Sequence, residues 1–209
     1  MNIHKFYSAV LTPFRKKRMA RFMKTLSPKK SDKILDIGGT AFNWALIDYK
    51  HPITLLNLDV PGNASELPEN YTCVAGDGTA LEYEDKSYEI VFSNSVIEHV
   101  GTYEKQKAFA KEASRVGKKL WIQTPAKYFF FEPHYLMAFV HWFPKNCQKR
   151  MLRFSGRALL SKFPQEEIDD LVDYTRLLTF AECKKLFPSC SVHKERILFL
   201  TKSYIIENS

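Results

Sequence analysis

Ile34 to Trp44, reading ILDIGGTAFNW, is the stretch that decides how this chain folds. An apolar run interrupted only by Asp36 passes straight into the pair Gly38–Gly39. A buried strand should therefore end there in a tight turn ahead of a helix. Parallel strands of an α/β sheet direct their carboxyl ends at a crevice, and a turn without bulky Cβ atoms lets a ligand approach the backbone. A glycine pair by itself is as often mere punctuation, so the flanking segments must decide.

Downstream, strand-like and helix-like segments alternate. KILDI is followed by a helical segment, Phe42 to Tyr49, and a second strand, Ile53 to Asp59, closes on an acid. A turn-rich connection leads to a third strand, Tyr71 to Ala75, and a fourth runs from Tyr88 to Phe92. Thr102 is placed to cap a helix with Phe109, Ala113 and Val116 on one face and Gly117 at its end. KLWIQTP is a fifth strand stopped by Pro125. This alternation predicts an α/β fold with a doubly wound parallel sheet.

The flanks differ in character. In residues 1–30, Phe6, Val10, Phe14, Phe22, Met23 and Leu26 fall near helical spacing, which predicts one or two amphipathic helices interrupted near Pro13. Their apolar stripe reads as a cap packed on the domain, with peripheral membrane contact as the sharper alternative. Residues 126–179 break the rhythm: half of those from Tyr128 to Phe143 are aromatic, and a helical insertion after the fifth strand is expected. Residues 180–209 read as a short helix and two apolar runs close enough to pair as an antiparallel hairpin. The expected organisation is one domain, with a cap over 1–30, a cofactor-binding core over 31–125, the insertion, and the terminal hairpin.

With 209 residues, 45% of them apolar, the chain can form one well-cored domain. It contains no apolar run long enough to span a bilayer, and its first residues lack the order of a secretory signal, so a cytoplasmic location is expected, including the inner face of a membrane. Cys73, Cys147, Cys183 and Cys190 form no CxxC pair, so no zinc site or disulfide framework is expected. Charge is segregated: residues 1–30 carry nine Lys or Arg and 145–162 carry six, neither with any acid, on a body that is otherwise mildly acidic. That pattern fits an anionic surface or substrate, or simply two solvated helix faces, and disfavours a uniformly basic nucleic-acid binder.

Four strand ends carry polar residues: Asp36 before the glycines, Asp59 after the second strand, Asp77 between Gly76 and Gly78, and Ser93, Asn94 and Ser95 after the fourth. Each alone is compatible with a turn; together they would line one crevice. An acid closing the second strand suits a ribose diol. The dinucleotide fingerprint requires a further glycine where Thr40, Ala41, Phe42 and Asn43 stand, so no pyrophosphate cradle is present. Asp77 instead suits an adenine amino group, and Asp36 a cationic amine.

At these residues the chain resembles the class I S-adenosylmethionine-dependent methyltransferases, in particular the small bacterial type 11 group related to ubiquinone and glycan methyltransferases. The resemblance runs through ILDIGG, LLNLD, AGDGTAL, YEIVFSNSVIEHV and RVGKKLWIQTP. It implies a Rossmann-like fold with a seven-stranded, mostly parallel sheet and S-adenosylmethionine as cofactor. By that likeness Asp36, Gly38, Gly39 and Thr40 hold the methionine end, Asp59 the ribose, Asp77 with Gly78 the adenine, and Ser93 with Asn94 form the floor beneath the sulfonium. Thr40 and Phe42 depart from the family's commonest loop, which has glycines there.

Methyl transfer needs a positioned nucleophile and a place for its proton. His99, in IEHV after the fourth strand, is the candidate base, with Glu98 to orient it or hold a water; a purely loop-orienting role is the alternative. His134, Tyr135, His141 and Trp142 are the candidate acceptor pocket. The expected reaction is O-methylation of a small-molecule, glycan or lipid-linked acceptor without a metal, and the alternatives are an RNA methyltransferase, a binding module that has lost turnover, and, more remotely, a nicotinamide-dependent oxidoreductase.

Overall fold

A computed structural model of the chain describes residues 3–47, 49–132, 137–153 and 164–209. These form two compact units. The first comprises residues up to Asn94 with Glu112–Ile122 and Glu207–Ser209, and the second comprises Ser95–Lys111 and Gln123–Ile206.

The first unit opens with helix α1 (Ile3–Leu26), and Pro13 lies inside it. The interruption expected at Pro13 does not occur. An interior proline removes one amide donor, but the following turns bury Met19, Phe22 and Leu26 at spacings of three and four residues, and packing of such a face outweighs local propensity. The Phe22 ring meets Trp44, Phe92 and Trp121 edge-on at 5.7, 5.3 and 5.6 Å. Met19, Phe22 and Leu26 of α1 are thus part of a core.

Strand β1 (Ile34–Ile37) is buried throughout. It leads through the glycine pair into α2 (Ala41–Ala45), shorter than the helix expected to Tyr49. Strand β2 (Ile53–Asn57) pairs parallel to β1 with Ile34 opposite Ile53, and β3 (Tyr71–Ala75) pairs parallel to β2 with Ile53 opposite Tyr71. Strand β4 (Tyr88–Asn94) returns to the other side of β1, Ile34 opposite Ile90. The order reverses between β1 and β4, the switch point at which open α/β sheets bind ligands. Helix α3 (Tyr103–Val116) carries the expected Thr102 cap, whose hydroxyl accepts from the Lys105 N–H at 3.3 Å. Gly117 then starts β5 (Gly117–Pro125), where a Cβ would stand 2.8 Å from Val91 Cγ2.

The aromatic insertion is mixed rather than purely helical. A two-stranded ladder, β6 (Phe131–Glu132) with β7 (Met137–Ala138), precedes α4 (Lys145–Leu152) and α5 (Gln165–Tyr174). Phe131 stands opposite Ala138, and just outside the ladder the Phe130 and Phe139 rings pack with centroids 6.0 Å apart, a contact that steadies so short a pair. Val140, Leu152, Ile168 and Val172 form its apolar centre. Helix α6 (Phe180–Leu186) starts on a full capping box between Thr179 and Glu182. Strands β8 (Ser191–Ile197) and β9 (Leu200–Asn208) complete one seven-stranded sheet of order β3-β2-β1-β4-β5-β9-β8, mostly parallel with antiparallel C-terminal strands. Among the described residues no helix is long and apolar enough to cross a membrane.

Candidate functional site

In the first unit the glycine turn is built over a buried acid. Asp36 is 1% exposed, and its Oδ2 accepts from the Trp44 indole N–H at 2.8 Å. Burial pushes its carboxyl up to about 8, and the Trp44 hydrogen bond works in the opposite direction. Its Oδ1 is buried without a hydrogen-bond partner. A Cβ on Gly39 would stand 2.1 Å from the Asp36 carboxyl carbon, so only glycine fits above this acid. Gly38 has φ 69°, the left-handed region that favours glycine, and its N–H donates to the Leu56 carbonyl at 2.7 Å. From the end of β2, the Asn57 amide donates to the Gly39 carbonyl at 3.0 Å. Both glycines are therefore fixed by sterics and by hydrogen bonds from the neighbouring strand.

Thr40 caps α2 in an extended conformation and is exposed. Trp44 lies in the core and holds Asp36. Phe42 is surface-exposed at the turn, with the Arg15 guanidinium 5.2 Å over its ring. Asp59 lies two residues beyond the end of β2 and is exposed. Asp77 is also exposed, and its Oδ1 accepts from both the N–H and the hydroxyl of Thr79 at 2.8 Å. A local turn thus holds Asp77 in place, and Gly78 beside it is buried.

Strand β4 is longer than expected and includes Ser93 and Asn94. The buried Ser93 hydroxyl donates to the Ile37 carbonyl at 2.9 Å and so ties β4 to β1. Asn94 Oδ1 accepts from the Arg18 guanidinium at 2.6 Å. Arg18 is only 6% exposed. Burial and the adjacent Arg18 charge hold Arg15 below the usual arginine range. Two guanidiniums held close together at the carboxyl ends of β1 and β4 suit a negatively charged group.

In the second unit a short helical turn, Ile97–His99, is clamped from several directions. Gln106 of α3 donates to the carbonyls of Ile97 and Arg176 at 3.0 and 2.7 Å, and the Arg176 N–H donates to the Glu98 carbonyl at 2.7 Å. The Arg176 side chain donates to Gln106 at 2.7 Å and ion-pairs with Glu182. Glu98 is fully buried, and its Oε2 accepts from the Thr124 hydroxyl at 3.0 Å. The half-buried His99 places Nδ1 3.3 Å from the Thr175 hydroxyl. Glu98 and His99 therefore take different side-chain partners, Thr124 and Thr175.

The insertion also lies in this unit. His134 and Tyr135 fall outside the described residues. His141 and Trp142 do come together, rings 5.9 Å apart, and Trp142 packs on Phe139 at 5.0 Å. The basic stretch is partly neutralised: Lys145 donates to the Asp173 carbonyl and Lys149 ion-pairs with the Asp173 carboxylate, both at 2.6 Å. Among the described residues no group of His, Cys, Asp and Glu is arranged to hold a metal ion.

Sequence reasoning missed the hydrogen bond of Trp44 to Asp36, and it missed Asn57, Arg15 and Arg18. Trp44 was visible as an indole one short helix after a strand acid. The arginines were visible only as members of an acid-free segment, where nothing distinguishes a buried guanidinium from a solvated one.

Residues 35–120 match a family model described as a methyltransferase domain. No curated protein sequence matches the chain. Among solved structures, a magnesium protoporphyrin IX methyltransferase from Synechocystis PCC 6803 with bound SAH is 13% identical, with 99% of this chain and 87% of that one covered at a TM-score of 0.60. A protein from Pyrococcus horikoshii OT3 is 17% identical, covering 99% and 91% at a TM-score of 0.56. A putative methyltransferase from Haloferax volcanii, solved in complex with a methyltransferase activator, is 12% identical, covering 98% and 93% at 0.55. At these identities the likeness is one of fold.

Proposed function

We propose that this chain, whose residues 35–120 match a methyltransferase domain model, is a class I S-adenosylmethionine-dependent methyltransferase and methylates an oxygen of a small-molecule, glycan or lipid-linked acceptor. The observation that carries the cofactor placement is the Gly38–Gly39 turn over buried Asp36 at the switch point between β1 and β4. The Asp36 Oδ1 has no partner, and an ammonium group or a bridging water at the turn would supply one, the ammonium charge drawing the carboxyl into its ionised, accepting form, so the residues present fit a cofactor carrying an amino acid.

When bound, S-adenosylmethionine supplies a methyl group activated by a positively charged sulfur. The chain's own residues position it. Asp36, Gly38, Gly39 and Thr40 take the amino-acid end, and Arg15 and Arg18 take its carboxylate. Asp59 accepts from the ribose hydroxyls, and Asp77 with Gly78 meets the adenine. Ser93 and Asn94 close the floor, Ser93 by tying β4 to β1 and Asn94 by holding Arg18.

An acceptor hydroxyl that gains a methyl group must lose its proton, and we assign that proton to His99. The Thr175 hydroxyl at Nδ1 orients the ring, and the turn that carries it is held through the Glu98 carbonyl, which accepts from the Arg176 N–H, and the Glu98 carboxylate, which accepts from Thr124. A positioned base of this kind contributes about 10²- to 10⁴-fold. Oxygen is favoured because a hydroxyl acceptor makes use of such a base. The aromatic group with His141 and Trp142 is assigned to the acceptor.

The test is transfer of labelled methyl to separated cellular fractions by the purified chain. Label in small-molecule, glycan or lipid material, carried on an ether or ester oxygen, is expected. Label confined to RNA, on a base or ribose, contradicts the reading. Folded protein that fails to bind S-adenosylmethionine at millimolar concentration refutes it at the first step.

A further inference from the structure

The tip of the β8–β9 hairpin is apolar and projects into solvent. Leu198, Phe199 and Leu200 are 87%, 95% and 48% exposed. Two-residue hairpin turns normally use glycine, asparagine or aspartate where φ is positive. Here Leu198 occupies that slot with φ 53°, and Phe199 follows it. Folding alone gives no reason to put two bulky apolar residues at such a turn, and where a local rule is broken without structural gain a functional cause is expected.

Hydrogen bonds within the same unit link this tip to the exposed aromatic residues of the insertion. Two residues past the tip, the Lys202 carbonyl accepts from the Ala126 N–H at 3.0 Å. The next carbonyl, that of Lys127, accepts from the Trp142 indole at 3.3 Å. Trp142 packs on Phe139, and Phe139 packs on Phe130 with ring centroids 6.0 Å apart. All three rings are substantially exposed, as is Tyr128. Lys127 and Arg196 are exposed beside them.

We propose that this surface docks on an anionic lipid bilayer, with the Leu198–Leu200 tip inserted among the acyl chains, the aromatic rings at headgroup depth, and Lys127 and Arg196 against the lipid charge. A three-residue convex tip is far smaller than the roughly 800 Å² per partner that a stable protein interface buries, whereas a bilayer accepts a protrusion of any outline. Tyrosine and tryptophan favour the boundary between water and hydrocarbon. Lys194, Arg196 and Lys202 flank the tip on the two hairpin strands and add attraction to an anionic leaflet. The inference does not depend on which acceptor is methylated.

The test is sedimentation of the full chain with vesicles of phosphatidylcholine alone and of phosphatidylcholine mixed with phosphatidylglycerol. Trp142 supplies an internal reporter, since Trp44 and Trp121 are fully buried. Expected is binding to the mixed vesicles, reduced by salt, with a blue shift in tryptophan emission that Trp142→Phe removes. Phe199→Ser, at a position that packs on nothing, should keep the melting temperature and lose about ten-fold or more in partitioning, and Arg196→Glu should lose about five-fold or more. No binding to either vesicle overturns the proposal, as does Phe199→Ser binding like the parent. A self-association that Phe199→Ser abolishes, without vesicle binding, also overturns it and assigns the tip to a second copy of the chain.

Discussion

Replacing Asp36 by asparagine should remove the loss of stability with rising pH that this buried acid imposes on the first unit. In the folded chain burial raises the Asp36 carboxyl to about 8 from its ordinary value of 3.8. Between those two values the folded state holds a proton that the unfolded state has released. Stability from this group is therefore fully present below the unfolded value and is lost as pH rises through the folded one. Each pH unit in that window costs about 1.4 kcal/mol, so from pH 5 to pH 8 the parent loses up to about 4 kcal/mol from Asp36 alone. Asparagine keeps the shape and still accepts from Trp44, but does not titrate. Urea midpoints of parent and Asp36→Asn, measured at one-unit intervals, should nearly coincide at pH 5 and diverge steadily, with the variant the more stable at pH 8. Parallel curves would refute the reasoning, since they would mean that Asp36 is ionised in the folded chain and that Gly39 does not seal it from water.

Three further outcomes follow from the same geometry. Gly39→Ala places a methyl group against the Asp36 carboxyl and should cost about 1–3 kcal/mol, read as a melting point about 2–10 °C lower for a chain of this length. Arg18→Gln should weaken S-adenosylhomocysteine about ten-fold or more while leaving methylthioadenosine, which lacks the carboxylate, unchanged in calorimetry; equal losses for both would make Arg18 a packing residue. His99→Ala should lower kcat by about 10²- to 10⁴-fold without changing cofactor affinity, and a loss of cofactor affinity instead would assign His99 to loop support.

The strands and their order of appearance could be read directly from the sequence, because each is an apolar run closed by a turn residue and strands buried on both faces need little else. Boundaries were less visible. Strand β4 continues through Ser93 and Asn94 because Ser93 turns its hydroxyl onto the Ile37 carbonyl, a partner 56 positions away that no local pattern reveals. Helix α1 continues through Pro13 because its later turns bury Phe22 among three aromatic rings that arrive from distant segments. The insertion's short ladder escaped notice because two-residue strands have no period.

The candidate site divides in the same way. Gly38, Gly39, Asp59 and Asp77 were singled out by position at or just past strand ends, which sequence order fixes. The state of Asp36 was not, since whether an acid is solvated or sealed depends on what closes over it, here a glycine that admits no Cβ and an indole from α2. The separate partners of Glu98 and His99 likewise come from residues far along the chain, Thr124 and Thr175.

The most direct measurement is calorimetric titration of S-adenosylhomocysteine into the parent chain and into Gly38→Val, with circular dichroism to establish that both are folded. Gly38 has φ 69°, so a β-branched side chain strains the turn. The account predicts binding to the parent and at least ten-fold weaker binding to the folded variant. Equal affinities would contradict it and place the cofactor somewhere other than the turn that closes ILDIGG.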